Sequence, residues 1–164
     1  MAQLFWDASA LIKRYFVEQG SDTVDALFAA IPHQEMCTCP WGYTETYSLL
    51  VRRLNEKILN AATFTTAVTA LQAEIVTDPD FGILPISENV IFGSTGIIRK
   101  HNLNATDAAI LTMLLAYLQQ AGTPQCVLVA SDKRMLRAAS AEGLSTLNPQ
   151  EIAVADIPVL LASL

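Results

Sequence analysis

Apolar residues recur along this chain in two rhythms. Leu4-Phe5-Trp6 and the run from Cys126 to Ala130 are apolar without interruption, as strands covered on both faces are. Elsewhere apolar side chains fall three and four apart, as Leu11, Ile12, Tyr15 and Phe16 do within residues 8–17, which predicts a helix with one buried side. Gln3 to Asp7 therefore reads as a strand, followed by that helix. Ser21 is placed to cap a second helix reaching about Ala30, which Pro32 closes. Glu35 to Thr38 suggests a short strand, and Pro40 suits the first turn of a helix continuing to about Asn55.

The second half repeats the alternation. A long helix is predicted from Asn60 to about Thr77, then a turn cluster, Asp78-Pro79-Asp80-Phe81-Gly82. Ile83 to Ile86 reads as a strand and Ser87 as the start of a helix running to about His101. Asn104 to Ala121 is almost wholly apolar, the pattern of a helix buried on most sides, and Gly122-Thr123-Pro124 stops it. The strand at Cys126 to Ala130 leads to a helix after Asp132, and Leu144 to Leu147 gives a last strand before Asn148-Pro149. Strands alternating with helices predict an α/β class protein: a three-layer α/β/α sandwich around a short, mostly parallel sheet. At 164 residues, with no repeat and no linker, the expectation is one domain over 1–164, with 149–164 as a tail or short helix.

Composition narrows the class. With 52% hydrophobic and 16% charged residues, the chain has ample material for a core and is not a disordered sequence. The longest apolar stretch, Ile110 to Leu118, is broken by Thr112 and falls far short of the ~18 residues of a bilayer span. The opening Met-Ala-Gln-Leu-Phe-Trp-Asp has no basic segment followed by an apolar run, so a cytoplasmic protein without a membrane partner is expected. Cys37, Cys39 and Cys126 are an odd number for a disulfide framework. Cys37 and Cys39 share a strand face as apolar fillers, with no His or Cys cluster to complete a zinc site.

The net charge of −6 is awkward for a nucleic-acid partner. Bound cations would locally invert it, however, and the basic residues are grouped: Lys13-Arg14, Arg52-Arg53, Arg99-Lys100 beside His101, and Lys133-Arg134 with Arg137. Each pair alone reads as a solvated helix face. Together they lie near acidic residues, which makes phosphate steering worth testing.

Four of those acidic residues carry the candidate chemistry. Ligands of open α/β sheets bind outside the carboxyl ends of the strands. Asp7 ends the first strand, Asp132 follows the strongest one, Asp107 sits in the first turn of the apolar helix, and Glu45 lies in the first half of the helix begun by Pro40. Convergence at one sheet edge is one reading. The other is structural: Asp132 caps a helix, Asp107 closes a capping-box-like turn with Asn104, and Glu45 is a surface residue. Asp7 is the hardest to dismiss, because Trp6 and Ala8-Ser9-Ala10-Leu11 around it are residues that favour burial.

The motifs also resemble a known family. Asp7-Ala8-Ser9-Ala10-Leu11-Ile12-Lys13-Arg14-Tyr15-Phe16, with Glu18-Gln19-Gly20-Ser21, resembles the opening of PIN domains, particularly the VapC-type toxin ribonucleases. Thr44-Glu45-Thr46-Tyr47-Ser48-Leu49-Leu50, trailing into Arg52-Arg53, resembles that family's second acidic motif. Leu103-Asn104-Ala105-Thr106-Asp107-Ala108-Ala109-Ile110-Leu111 is similar to its third, and Ser131-Asp132-Lys133-Arg134-Met135-Leu136 with Glu142-Gly143-Leu144 to its last. The match runs in order over residues 4–149. Many relatives carry an arginine where Asn104 stands, and the segment from Asn60 to Phe81 is long for a minimal toxin.

The resemblance implies a PIN-like fold and an endoribonuclease dependent on Mg²⁺ or Mn²⁺. Asp7, Glu45 and Asp107 would be the principal ligands and Asp132 a ligand or a residue just behind them. Ser9 and Ser131 would be hydrogen-bonding supports, and Lys13 would orient a carboxylate or touch phosphate. Hard cations prefer carboxylate oxygens, and one or two of them supply what phosphodiester hydrolysis needs. It further implies RNA as substrate, a homodimer, and a small antitoxin as partner, the apolar helices at 22–31 and 60–77 being candidates for a dimer face. The alternative is a PIN-fold module that binds RNA or metal without turnover inside a larger assembly. A receiver domain would want paired acidic residues after the first strand, where Asp7 stands alone. A haloacid-dehalogenase-like phosphatase would want an aspartate where Ser9 stands.

Overall fold

Parallel pairing of five short strands organises the molecule. The computed structural model describes residues 3–120 and 125–163; Gly122-Thr123-Pro124, the expected stop of the apolar helix, lies outside them. The strands are β1 (Gln3–Trp6), β2 (Met36–Thr38), β3 (Gly82–Ile83), β4 (Cys126–Val129) and β5 (Ser145–Leu147). They form one sheet in the order β3-β2-β1-β4-β5, with every neighbouring pair parallel. The chain moves outward from β1 in one direction through β2 and β3, then returns to its other side with β4. The switch point of the sheet therefore falls between β1 and β4, where such folds bind ligands.

Alternation along the strands divides the core in two, because successive side chains leave opposite faces. Leu4 and Trp6 of β1, Met36 of β2 and Val127 and Val129 of β4 enter one apolar cluster with helices α1 (Ala8–Tyr15), α2 (Ser21–Ala30), α3 (Pro40–Asn55) and α4 (Ala61–Leu71). Phe5, Cys37, Cys126 and Leu128 face the other way, against α5 (Glu88–Gly93), α6 (Thr95–His101), α7 (Ala105–Leu118) and α8 (Lys133–Ala141). The result is the expected three-layer α/β/α sandwich. A short helix α9 (Ile157–Ser163) ends the chain and packs Ile157 into the first cluster. Cys37 and Cys39 are buried on one side as fillers.

Several elements depart from their sequence pattern. The helix expected from Ser87 to His101 is two helices meeting at Ser94, whose hydroxyl donates to the Ile91 carbonyl (2.7 Å). Gly93, Ser94, Thr95 and Gly96 are poor helix formers, and that hydrogen bond offers the backbone an alternative. The helix expected through Thr77 is α-helical only to Leu71 and winds into a wider π turn over Gln72–Thr77. The strand expected at Ile83 to Ile86 pairs only over Gly82–Ile83. Ser21 does not cap α2. That position belongs to Gly20 at φ 90°, while the Ser21 hydroxyl accepts from the Glu18 N–H (3.0 Å). A Cβ on Gly20 would stand 2.9 Å from the Pro149 carbonyl oxygen, so glycine is required there twice over. The apolar sides of α2 and α4, candidates for a dimer face, are core: Val24, Leu27, Ala67 and Leu71 are buried.

One close approach sets the position of α3. An ideal Cβ on Gly42 would lie 2.1 Å from Thr38 Oγ1, the hydroxyl that donates to the Trp6 carbonyl (2.7 Å) between β2 and β1. The first turn of α3 can lie against the strand ends only because residue 42 has no side chain. Gly42→Ala is expected to destabilise the protein by about 1–3 kcal/mol, as overpacking of a close contact does. Urea denaturation would register this as a lower midpoint at unchanged slope.

Candidate active site at the carboxyl edge of the sheet

Asp7 follows the last residue of β1, and its backbone continues the ladder by donating to the Val129 carbonyl (2.9 Å). At 5% exposure its carboxylate is nearly enclosed. It survives burial because it caps α1: Oδ2 accepts from the Ser9 N–H (2.9 Å) and from the Ser9 hydroxyl. Ser9 then extends the support across the sheet. Its Oγ accepts from the backbone N–H groups of Ser131 (2.9 Å) and Asp132 (3.2 Å), tying α1 to the loop after β4. Ser131 contributes through its backbone alone. Its hydroxyl is buried without a hydrogen-bond partner.

Asp132 and Asp107 each occupy a helix start, as their structural readings anticipate. Asp132 Oδ1 accepts from Arg134 (2.7 Å) and Met135 (3.1 Å) at the head of α8. The Asp107 N–H donates to Asn104 Oδ1 (2.9 Å), while Asn104 Nδ2 donates back to Asp107 Oδ2 (2.8 Å). Asn104 thus orients the carboxylate it precedes. Glu45 projects from α3, and three residues of the same helix face, Ser48, Leu49 and Arg52, follow it at helical spacing.

All four carboxylates line one cavity of about 340 Å³, with Ser9, Ser48, Arg52 and Asn104 between them. They also raise one another's proton affinity. Glu45 is pushed up to about 7, first by burial and then by the charges of Asp7 and Asp107, with Arg52 opposing. Asp107 is pushed up to about 6 by burial, Asp7 and Asp132, against the Asn104 hydrogen bond. Asp7 is raised by burial and opposed chiefly by the Ser9 hydroxyl. Among the described residues, no three acidic, histidine or cysteine side chains stand close enough to grip a single ion. The carboxylates surround a volume rather than a point. An oxygen-only donor set of high negative charge suits a hard divalent cation that keeps part of its water shell.

Lys13 does not join them. Its side chain, 2% exposed, pairs with Glu18 Oε1 at 2.5 Å, and Arg53 Nη2 approaches the other oxygen at 3.8 Å. The carboxylate it orients is Glu18. Asn104 makes the capping turn with Asp107 expected from the sequence, whereas Ser48 had no expected role and Arg52 was placed only in a basic pair, and both line the cavity. These two were findable, since they lie three and seven residues after Glu45 on one helix face.

Comparison with protein-family models found no match, and comparison with curated proteins found none. Solved structures do match. PAE2754 from Pyrobaculum aerophilum superposes with a TM-score of 0.65 at 15% identity, covering 99% of this chain and 97% of that one. The Mycobacterium tuberculosis toxin VapC20, which cleaves the sarcin-ricin loop, gives 0.65 at 18% identity over 87% of this chain and 96% of its own. FitAcB from Neisseria gonorrhoeae gives 0.63 at 15% identity over 92% of this chain and 100% of that chain. At such identities the likeness defines the fold, which is PIN-like.

The raised carboxyls have a thermodynamic signature. A carboxyl whose folded pKa lies above its unfolded value binds more protons in the native state, so its contribution to stability falls as pH rises between the two. For Glu45 that window runs from 4.5 to about 7. Without divalent metal, Glu45→Gln is therefore expected to gain thermal stability relative to the parent as pH climbs through this window. Parallel melting curves for the two chains, at a fixed separation across it, would contradict the shared acidic cavity.

Proposed function

We propose that this chain is a metal-dependent endoribonuclease, the toxin of a toxin–antitoxin pair. The observation that carries the reading is the convergence of Asp7, Glu45, Asp107 and Asp132 on one cavity at the switch point of a PIN-like sheet. Nuclease activity in general is supported by structural neighbours that include a loop-cleaving toxin. Asp7, Glu45 and Asp107 would hold one or two Mg²⁺ or Mn²⁺ ions, with Asp132 completing the set or supporting it from behind. Bound there, the ions would relieve charge on the phosphoryl oxygens and make a water nucleophilic near neutral pH.

The chain's own residues supply the rest. Asn104 fixes one oxygen of Asp107 and leaves the other for the cavity. The Ser9 bridge keeps Asp7 and the Asp132 loop at constant separation. Arg52, exposed on the cavity wall, is placed to meet a phosphate. A second copy and a small antitoxin belong to the same reading, the partner supported by neighbours solved as toxin–antitoxin complexes. With α2 and α4 turned inward, the exposed Ile91 and Phe92 of α5 are the apolar residues to probe for a dimer face. No helix among the described residues is long and apolar enough to cross a membrane.

Asp7→Asn is expected to fold and to lose Mg²⁺- or Mn²⁺-dependent cleavage of RNA, while Ser9→Ala lowers activity or metal affinity about 10–100-fold. Cleavage should increase with pH as Glu45 and Asp107 ionise at about 7 and about 6. A gel assay with and without chelator checks all three. Near-normal turnover by Asp7→Asn rejects the assignment, and RNA retention without cleavage by the parent favours the binding-module alternative. Induced alone in a bacterial host, the parent is expected to slow growth and Asp7→Asn to leave it normal. An absent growth defect removes the toxin role and leaves the nuclease.

A further inference from the structure

The chain is anionic overall, with a net charge of −6, yet five of its ten Lys and Arg residues lie on two helices: Arg99 and Lys100 on α6, and Lys133, Arg134 and Arg137 on α8. The cations elsewhere are largely spent. Arg14 pairs with Asp25 and Glu74, Lys13 with Glu18, and Arg53 with Glu18 and Glu56. Arg134 and Arg137, in contrast, are exposed and form no ion pair among the described residues. They stand three apart, on neighbouring turns of one helix face.

These two arginines line a cavity of about 450 Å³ between α6 and α8, opposite Lys100 and His101 and floored by Ala138 and Ala141. The groove is braced by Glu142, which accepts from Lys100 Nζ (2.8 Å) and meets His101 Nε2 (2.5 Å). Its acidic content is already committed to those two contacts, so the arginines give it a positive excess. It also begins where the acidic cup ends. Asp132, which lines the cup, caps the helix that carries Arg134, and Arg134 is near enough to Asp107 to favour its ionised form. Arg137 also borders an adjoining opening with Lys133 and Glu151.

We propose that a single RNA strand leaves the acidic cup over the first two turns of α8 and enters the groove between α6 and α8, with Arg134 and Arg137 each holding one backbone phosphate. This rests on the reading of the cup as an RNA-cleaving site and adds the direction in which the strand runs. Two unpaired guanidinium groups on one helix face, over a floor of small residues, complement a polyanion lying close to the helix. Guanidinium forks match phosphate oxygens in pairs.

The test is the salt dependence of binding of a fluorescein-labelled single-stranded RNA to the full chain carrying Asp7→Asn. Each lost phosphate contact reduces the slope of log affinity against log salt by about 0.7 for a single strand. Arg134→Gln and Arg137→Gln should each lower the slope by about that amount, and the double variant by about 1.4. Lys57→Gln, an exposed cation beyond α3, removes the same formal charge and should leave the slope as it was. Melting curves confirm that each variant is folded. An unchanged slope in the double variant, an equal effect of Lys57→Gln, or no measurable RNA binding overturns the groove. Displacement of the arginine effect onto poly-glutamate alone also overturns it and assigns the face to an acidic protein. Metal-dependent cleavage by the parent is scored separately. If cleavage is present and the slopes are unmoved, the groove fails and the nuclease stands. If cleavage is absent and the slopes shift as expected, the nuclease fails and the groove stands.

Discussion

The rest of the carboxyl edge depends on the way Asp7 is buried. An acid 5% exposed would be expelled unless donors met it, and here the head of α1 and the Ser9 hydroxyl do so, offsetting part of a burial cost that still leaves the Asp7 carboxyl raised. The same serine receives two N–H groups from the loop after β4. One hydroxyl therefore solves two problems at the switch point: an acid inside the fold, and a loop crossing beside it whose backbone donors need acceptors. The position of Asp132 relative to Asp7 follows from that bridge.

Electrostatics then sets what the cavity can do. Burial first, and then like charges around one volume, push Glu45 and Asp107 upward, so the metal-free protein holds protons near neutrality that a cation would displace. A cluster that opposes folding by its own repulsion is the arrangement expected where charge serves a ligand. The same logic separates the cations. Lys13, Arg14 and Arg53 are locked into ion pairs that hold α1 to its neighbours, whereas Arg52, Arg134 and Arg137 remain at the rim or beyond it.

Much of the architecture was legible because strands and helices announce themselves by period. Cys126 to Val129 could not be mistaken, and a proline fixed the start of the helix Pro40–Asn55, whose end was expected at about Asn55. The misreadings came where local chemistry and tertiary packing compete. Ser21 is a good cap by type, but the positive φ needed at that corner goes to Gly20, which also lies against Pro149. The stretch after Ser87 carries enough apolar spacing for one helix, and only Gly93 to Gly96 hint at the break. Both edges of the Asn60–Thr77 helix pattern were apparent, whereas its π turn was not, since nothing in the residue types demands it.

By itself the sequence determined the element types, the layering and the candidate acids, for these follow from the spacing of apolar residues and from motifs a few residues long. Only the tertiary structure decided which carboxylates share a cavity, that Lys13 is claimed by Glu18, and that Ser9 bridges to the Ser131 backbone. The reason is range. Periodicity is a property of neighbours along the chain, while a site at a switch point is assembled from strands and helices more than a hundred residues apart, and no local pattern records which side chains meet there.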